Sequence, residues 1–352
     1  MQTFSVNGFR LASGKVLDEM TVAFRTLGKL NAEGSNAVLV LHGYTTGPAM
    51  LDAGSNVAEG SWSDLVGPGK AIDSDKYFVV CPNMLGSSYG STGPGSINPA
   101  TGKHYGLDFP RITLADIVAA QKALLDSLGV RSLAAVTGPS FGAYQSFQWA
   151  VSYPSMVKRV VAAVGAPFNP ASAGASSAIL DKLQSAPGWS DWCRDGDQRA
   201  MLETLTAMRI HTLTTYGVDA ELTPSIPDPA ARAARIAALA RDWASEFNPG
   251  SLITLMQAAE QFDLRDKLDA ISAPVLLVMS RTDAVFSPAL ASAIAAIPAT
   301  RSWSYIELDS EKGHFASGAD AALWADTLHN FMNTEPDAWI SHGMPAPTPE
   351  SV

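Results

Sequence analysis

The chain has 352 residues, 47% of them apolar and 16% charged, enough apolar material for a large core and too little charge for a disordered protein. Its net charge of −10, with no run of Lys or Arg, argues against nucleic acid and anionic membrane as partners. No stretch of about 18 apolar residues could span a bilayer, and the two cysteines, Cys81 and Cys193, suggest no disulfide framework and join no Cys/His cluster with metal spacing, so no metal is expected.

Residues 1–30 alternate polar and apolar side chains (Val16, Met20, Val22, Phe24) and predict antiparallel strands. The opening Met1-Gln2-Thr3-Phe4-Ser5 lacks the basic-then-apolar layout of a secretory leader, so the cytoplasm is the expected compartment. Asn36 to Leu41 reads as a buried strand ending at His42-Gly43, and Tyr77 to Pro82 as another. Ile112 to Leu128 has helical periodicity and stops at Gly129. Strands follow at Leu133–Thr137, Val157–Val164, Val275–Met279 and Trp303–Leu308, the last two separated by a helix around Pro288–Ala296. Strands alternating with helices predict an α/β fold with a mostly parallel sheet and helices on both faces.

Residues 168–262 break that rhythm. They are Ala-rich, short of strand signals, and helical at Ala200–Tyr216, Pro229–Phe247 and Ser251–Gln261. The expected organisation is a core of residues 1–167 and 263–335, a helical lid of 168–262 inserted in it, and a flexible Pro-rich tail of 336–352. No internal repeat is visible.

Gly138-Pro139-Ser140-Phe141-Gly142 reads G-x-S-x-G, a serine on a sharp strand-to-helix turn. The apolar Leu133–Thr137 precedes it, and Ala143 to Val151 follows as a helix that stops near Tyr153-Pro154. Strand, elbow and helix are the context this motif requires. A serine hydroxyl needs a base, and the base needs an orienting acid. On such scaffolds the acid and then the histidine follow the serine in chain order, on loops after late strands. His314 lies in the polar loop Asp309–His314, directly after the last predicted strand, and is the candidate base. His329 falls in a C-terminal amphipathic helix and His342 in the tail. Asp283, where the loop after Val275–Met279 begins, is the candidate acid, with Asp309 as its competitor. An oxyanion hole needs two backbone N–H groups. Phe141, next to the serine, supplies one, and Tyr44 in the loop His42–Gly47 supplies the other; His42 braces that loop.

Distinctive stretches flank these residues: Gly67-Pro68-Gly69-Lys70-Ala71-Ile72-Asp73, Cys81-Pro82-Asn83-Met84-Leu85-Gly86 and Gly90 to Pro99, then Asp108 to Thr113 and Gln148-Trp149-Ala150. In these stretches the chain resembles the homoserine O-acetyltransferases and their esterase relatives in the α/β-hydrolase superfamily. The likeness covers roughly residues 10–335 and is weakest inside the expected lid. It implies an α/β-hydrolase fold, the same three residues Ser140, Asp283 and His314 as a triad, and a helical lid enclosing a tunnel to the serine.

The resemblance also implies an acceptor site. Homoserine is a zwitterion, whose carboxylate wants a guanidinium and whose ammonium wants a carboxylate. In the transferases a lid arginine and an aspartate directly after the histidine look like those partners. Arg209 falls on the arginine, but Phe315 stands where the aspartate would be. The elbow departs too, with Pro139 before the serine and Ala143-Tyr144 after Gly142, where the transferases usually read G-G-S-x-G-G-M. Losing an ammonium partner from a buried site costs about 3 kcal/mol in acceptor binding. Arg209, Phe315 and Tyr144 are the candidate substrate contacts.

The expected function is therefore a serine carboxylesterase of short-chain, acetyl-type esters, with water resolving an acyl-enzyme. The alternative is an O-acetyltransferase moving acetyl from acetyl-CoA to homoserine or another alcohol. No cofactor is expected, and acetyl-CoA enters as a co-substrate only under the alternative. A small-molecule ester is the expected partner, and the sequence leaves the oligomeric state open, a homodimer being one option. A non-catalytic protein on this scaffold would carry a broken triad, and this chain has all three residues.

Overall fold

The computed structural model describes residues 1–54, 61–171, 173–334 and 344. Apart from Met344, the tail expected at 336–352 lies outside the described residues. The chain divides into two compact units: Met1–Phe24, Asn83–Leu124 and Ala171–Phe262 form one, and Arg25–Pro82, Leu125–Pro170 and Asp263–Val352 the other.

The strands of the main sheet are β1 (Gln2–Arg10), β2 (Val16–Leu27), β3 (Ala37–Val40), β4 (Phe78–Pro82), β5 (Leu133–Pro139), β6 (Val160–Ala163), β7 (Val275–Ser280) and β8 (Ser304–Leu308). Their order is β1-β2-β4-β3-β5-β6-β7-β8. β1 and β2 form an antiparallel hairpin with Val6 opposite Met20. From β4 to β8 every neighbouring pair is parallel.

The buried parallel strands β3, β5, β6 and β7 have no exposed position, which is why they read as mainly apolar runs in the sequence, with Thr137 and Ser280 as the polar exceptions. Side chains alternate between the two faces. Val38, Val79, Ala135, Val161 and Leu276 share one core cluster with Trp324, Leu328 and Phe331 from the C-terminal end of the chain. On the other face lie Leu39, Val80, Val136 and Ala162, and helix Phe141–Ser152 packs on β5 and β6.

The helices are α1 (Leu114–Ser127), α2 (Phe141–Ser152), α3 (Ala175–Gln184), α4 (Trp189–Asp195), α5 (Leu202–Tyr216), α6 (Val218–Leu222), α7 (Pro229–Glu246), α8 (Pro249–Glu260), α9 (Ala289–Ala295), α10 (Ala316–Ala319) and α11 (Ala325–Asn333). Of the helical segment, α5, α7 and α8 are the three that the sequence predicts. α7 and α8 each begin with an Asx cap followed by Pro. Asp228 accepts from Ala231 N at 2.9 Å and Asn248 from Gly250 N at 2.9 Å. α5 packs on α7 and α3 on α8. This segment groups with Met1–Phe24 and Asn83–Leu124.

α1 opens on a reciprocal capping box. Thr113 N donates to Asp116 Oδ2 at 2.8 Å, and Asp116 N to Thr113 Oγ1 at 3.3 Å. Asp116 Oδ1 also takes Ala12 N at 2.6 Å, tying the β1–β2 turn to the helix. Asp116 is buried, so Asp116→Ala strands these donors. It is expected to lower stability by about 2–3 kcal/mol, read as a shifted urea midpoint with an unchanged slope.

Candidate active site

β3 and β5 lie side by side, and the strand order reverses between them. Loops leaving the carboxyl ends of strands at such a reversal diverge and leave a crevice. The loop after β3 carries Tyr44, and β5 runs directly into Ser140. Leu41 N donates to Thr137 O at 2.8 Å and holds the two strand ends together.

Ser140 sits at φ 58°, ψ −121°, a conformation that costs a non-glycine residue about 1–3 kcal/mol. Its surroundings hold it there. Ser140 N donates to Ala163 O at 2.9 Å, and its carbonyl accepts from Ala143 N at 2.9 Å. The flanking glycines have a more specific reason than a strained turn. A Cβ on Gly138 or Gly142 would collide with the backbone carbonyl oxygen of Leu41. They are small because β3 passes directly beneath the elbow. Phe141 is the first residue of α2, so its N–H belongs to the helix's first turn, where amides have no intrahelical acceptor.

Asp283 and His314 occupy the loops after β7 and β8. His314 Nδ1 lies 2.8 Å from Asp283 Oδ2, and both side chains are buried. Asp283 Oδ1 accepts from Val285 N at 2.7 Å and Phe286 N at 3.1 Å. Burial pushes the Asp283 carboxyl up, but the charge and hydrogen bond of His314 and the two amides together outweigh it and hold it below its ordinary value. Asp309 is spoken for elsewhere: it is exposed and accepts from Arg281 Nε at 2.7 Å. The two loops are pinned through Thr282, whose hydroxyl donates to Ser310 O at 2.8 Å and accepts from Gly313 N at 3.1 Å.

A run of aromatic contacts joins the elbow to the histidine. Tyr44 stacks on Phe141 at 6.1 Å, Phe141 meets Tyr144 at 5.6 Å, Tyr144 meets Phe286 at 5.8 Å, and Phe286 stacks on His314 at 5.7 Å. Tyr144 is anchored by its hydroxyl, which donates to Asn169 Oδ1 at 3.1 Å. Gln145 Nε2 donates to the carbonyls of His42 at 3.1 Å and Phe141 at 3.3 Å, fastening the Tyr44 loop to α2. His42 is buried with Nδ1 2.9 Å from Gly43 O. Sequence reasoning missed Phe286 and Gln145. The signal for Gln145 was a polar residue in a helix otherwise rich in large apolar side chains; Phe286 carried none.

Ser140, Asp283, His314, Tyr44, Phe141, Tyr144 and Phe315 all lie in one unit, and Arg209 in the other. Phe315 is buried in the turn Gly313–Phe315. Arg209 is buried in α5 with its guanidinium over the Trp243 ring of α7, 4.8 Å from the centroid, a cation–π contact.

The α/β-hydrolase fold family matches residues 36–318. The homoserine O-acetyltransferase of Rhodospirillum rubrum is 33% identical over 93% of this chain and 90% of its own. That of Symbiobacterium thermophilum is 33% identical over 93% of this chain and 92% of its own. Among solved structures, esterase E22 superposes with a TM-score of 0.82 at 26% identity, over 94% of this chain and 99% of that one. These findings correct the carboxylesterase expectation. The relatives alike over nearly the whole chain at 32–33% identity are named homoserine O-acetyltransferase, and the esterase likeness is at lower identity. That expectation rested on Phe315 and the elbow neighbours. A hydrolase and a transferase share every acyl-enzyme residue, so one apolar position after the histidine does not decide between water and an alcohol.

Proposed function

This chain belongs to the homoserine O-acetyltransferase-like family of the α/β-hydrolase superfamily, and on that premise we propose that it is a serine-dependent O-acetyltransferase that moves acetyl from acetyl-CoA to the hydroxyl of homoserine. It is an enzyme of the α/β-hydrolase superfamily. The observation that carries the transferase reading is the likeness, over 90% or more of both chains, to relatives of that name.

In this reading Ser140 Oγ attacks the thioester carbonyl while His314 takes the serine proton. Asp283, bonded to His314 Nδ1, fixes the tautomer that leaves Nε2 to act as base and stabilises the imidazolium. The N–H groups of Phe141 and Tyr44 hold the oxyanion. The intermediate collapses, the thiol of CoA leaves with the proton from His314, and Ser140 carries the acetyl group. The homoserine hydroxyl then gives its proton to His314 and attacks the acetyl carbonyl. Collapse of the second intermediate returns the proton to Ser140 and releases O-acetylhomoserine.

The test is CoA release from acetyl-CoA with and without homoserine, with the acetylated product identified by mass. Homoserine-dependent release is expected. Release at one rate regardless of homoserine, with free acetate as the product, overturns the proposal.

The Asp283–His314 pair also makes a pH prediction. The folded-state pKa of Asp283 is lowered, so its contribution to stability is complete above the unfolded value, about 3.9, and is lost as pH falls through the folded value. Wild type is therefore expected to exceed Asp283→Asn in urea stability at pH 6, with the gap narrowing below pH 4 as Asp283 takes up its proton. A gap that stays constant from pH 6 to pH 3 contradicts this.

A further inference from the structure

Gln145 is wholly buried in the second turn of α2, a helix that also buries Phe141, Tyr144, Phe147 and Trp149. A primary amide in such a place costs free energy unless it is hydrogen bonded, and packing alone would favour leucine or methionine. Helical side chains lean toward the N-terminus of their helix, and this one reaches back over the first turn. Nε2 donates to Phe141 O, one turn earlier on α2, at 3.3 Å, and to His42 O, in the loop after β3, at 3.1 Å. One side chain thus joins two segments about a hundred positions apart in the chain.

Those segments carry the two N–H groups assigned above to the oxyanion. Phe141 bears one donor together with one of the accepted carbonyls. His42 O lies one peptide before the other donor, Tyr44 N–H. The Gly43 carbonyl and the Tyr44 N–H belong to the same planar peptide, so whatever holds the carbonyl also aims the N–H on its opposite side. Gly43 O accepts from Thr46 Oγ1 at 3.3 Å, and His42 Nδ1 lies 2.9 Å from it; a carbonyl only accepts, so that ring nitrogen carries the proton. His42 and Thr46 therefore stiffen the loop from within, and Gln145 fixes the stiffened loop to the start of α2.

Oxyanion donors act only when aimed at the place where the charge develops, and a displacement of about 1 Å can cost about a hundredfold in rate. We propose that Gln145 is a positioning residue for acyl transfer: through its two carbonyls it keeps the Tyr44 N–H in register with the Phe141 N–H, without touching substrate itself. This inference rests on the acyl-serine reading with these two donors. The intermediates on the way into and out of the acyl-serine both bear an oxyanion, so Gln145 serves both half-reactions. A planar ground-state carbonyl gains little from the alignment, so the effect falls on rate and not on binding.

Single-turnover acetylation of Ser140 by p-nitrophenyl acetate, with enzyme in excess, tests this without any acceptor alcohol. Gln145→Met keeps an unbranched side chain of similar reach but has no N–H. Its maximal acetylation rate is expected to fall about a hundredfold, with the half-saturating concentration within about threefold of wild type. Affinity for trifluoroacetone, which Ser140 converts into a tetrahedral adduct bearing an oxyanion, is expected to fall by the same factor as the rate. A purely structural role would lower the urea midpoint and leave both quantities unchanged per folded molecule. Gln145→Glu keeps the shape and, protonated in its buried site, one O–H donor, so its rate should fall less, about tenfold, with trifluoroacetone affinity in step. It decides the matter if the methionine variant does not fold. An unchanged acetylation rate in a folded variant overturns the proposal, as does a rate loss that leaves trifluoroacetone affinity untouched. The two possible failures are distinct. A wild type whose Ser140 peptide gains no acetyl mass sinks the acyl-serine reading and this inference with it, whereas a wild type that is acetylated and variants that match it sink the positioning role alone.

Discussion

Ser140→Ala is expected to lower acetyl transfer by about four orders of magnitude or more, with the circular dichroism spectrum unchanged. In the proposed reaction, removing the nucleophile leaves only substrate binding and the oxyanion donors, and their residual acceleration is small beside that of the intact group. CoA release from acetyl-CoA and homoserine, followed through the liberated thiol, measures it. Retention of more than a few per cent of the wild-type rate would sink the acyl-serine route. Ser140→Gly separates chemistry from backbone strain. It is equally inactive, but glycine adopts φ 58°, ψ −121° without a Cβ penalty. That relief exceeds glycine's extra unfolded-state entropy, so Ser140→Gly should be about 1 kcal/mol more stable than Ser140→Ala in urea unfolding. Equal stabilities would mean that the elbow stores no strain.

Gly142→Ala has the largest expected effect on folding. The added Cβ would overlap the Leu41 carbonyl oxygen and stand 2.9 Å from its carbon, both of them backbone atoms. Leu41 follows directly on β3, which is paired on both sides, so it has no soft direction in which to yield. A loss of about 4 kcal/mol or more is expected, seen as failure to accumulate folded protein or as a collapsed urea midpoint. Gly102→Ala is the control. Gly102 has a positive φ of 68° but open space around its Cβ position, so that change should cost only about 1 kcal/mol. Gly142 lies in α2 and has no positive φ, so a loss there no larger than at Gly102 would show that the approach of the Leu41 carbonyl does not demand glycine at the elbow.

The strands were legible because buried parallel strands need apolar residues on both faces, and Ala37–Val40 and Val160–Ala163 display that need without interruption, as does Val275–Ser280 up to its last residue. The long helices α5, α7 and α8 were legible from a stretch rich in helix formers and short of strand signals, and α7 and α8 also carry Asx-Pro caps. Short α3, α4 and α6 were not, since five to ten residues carry too few turns for a period to emerge. The mistaken choice of water over an alcohol shows a different limit. Phe315 and the elbow neighbours are local features, whereas acceptor choice depends on the whole set of groups around the acyl-serine.

The sequence by itself determined the α/β class, the strand-elbow-helix at Ser140, and the placing of Asp283 and His314 on loops after late strands. Each is written in residues next to one another in the chain, where periodicity and turn chemistry act. Only the tertiary structure decided that His314 Nδ1 meets Asp283 and not Asp309, since both carboxylates lie on loops after strands and only one is carried inward. It likewise decided that Leu41, about a hundred positions from the elbow, is what Gly138 and Gly142 must clear. It also gathered Tyr44, Phe141, Tyr144, Phe286 and His314 into one line of rings. Contacts between strand ends depend on strand order, and no local pattern in the chain encodes that order.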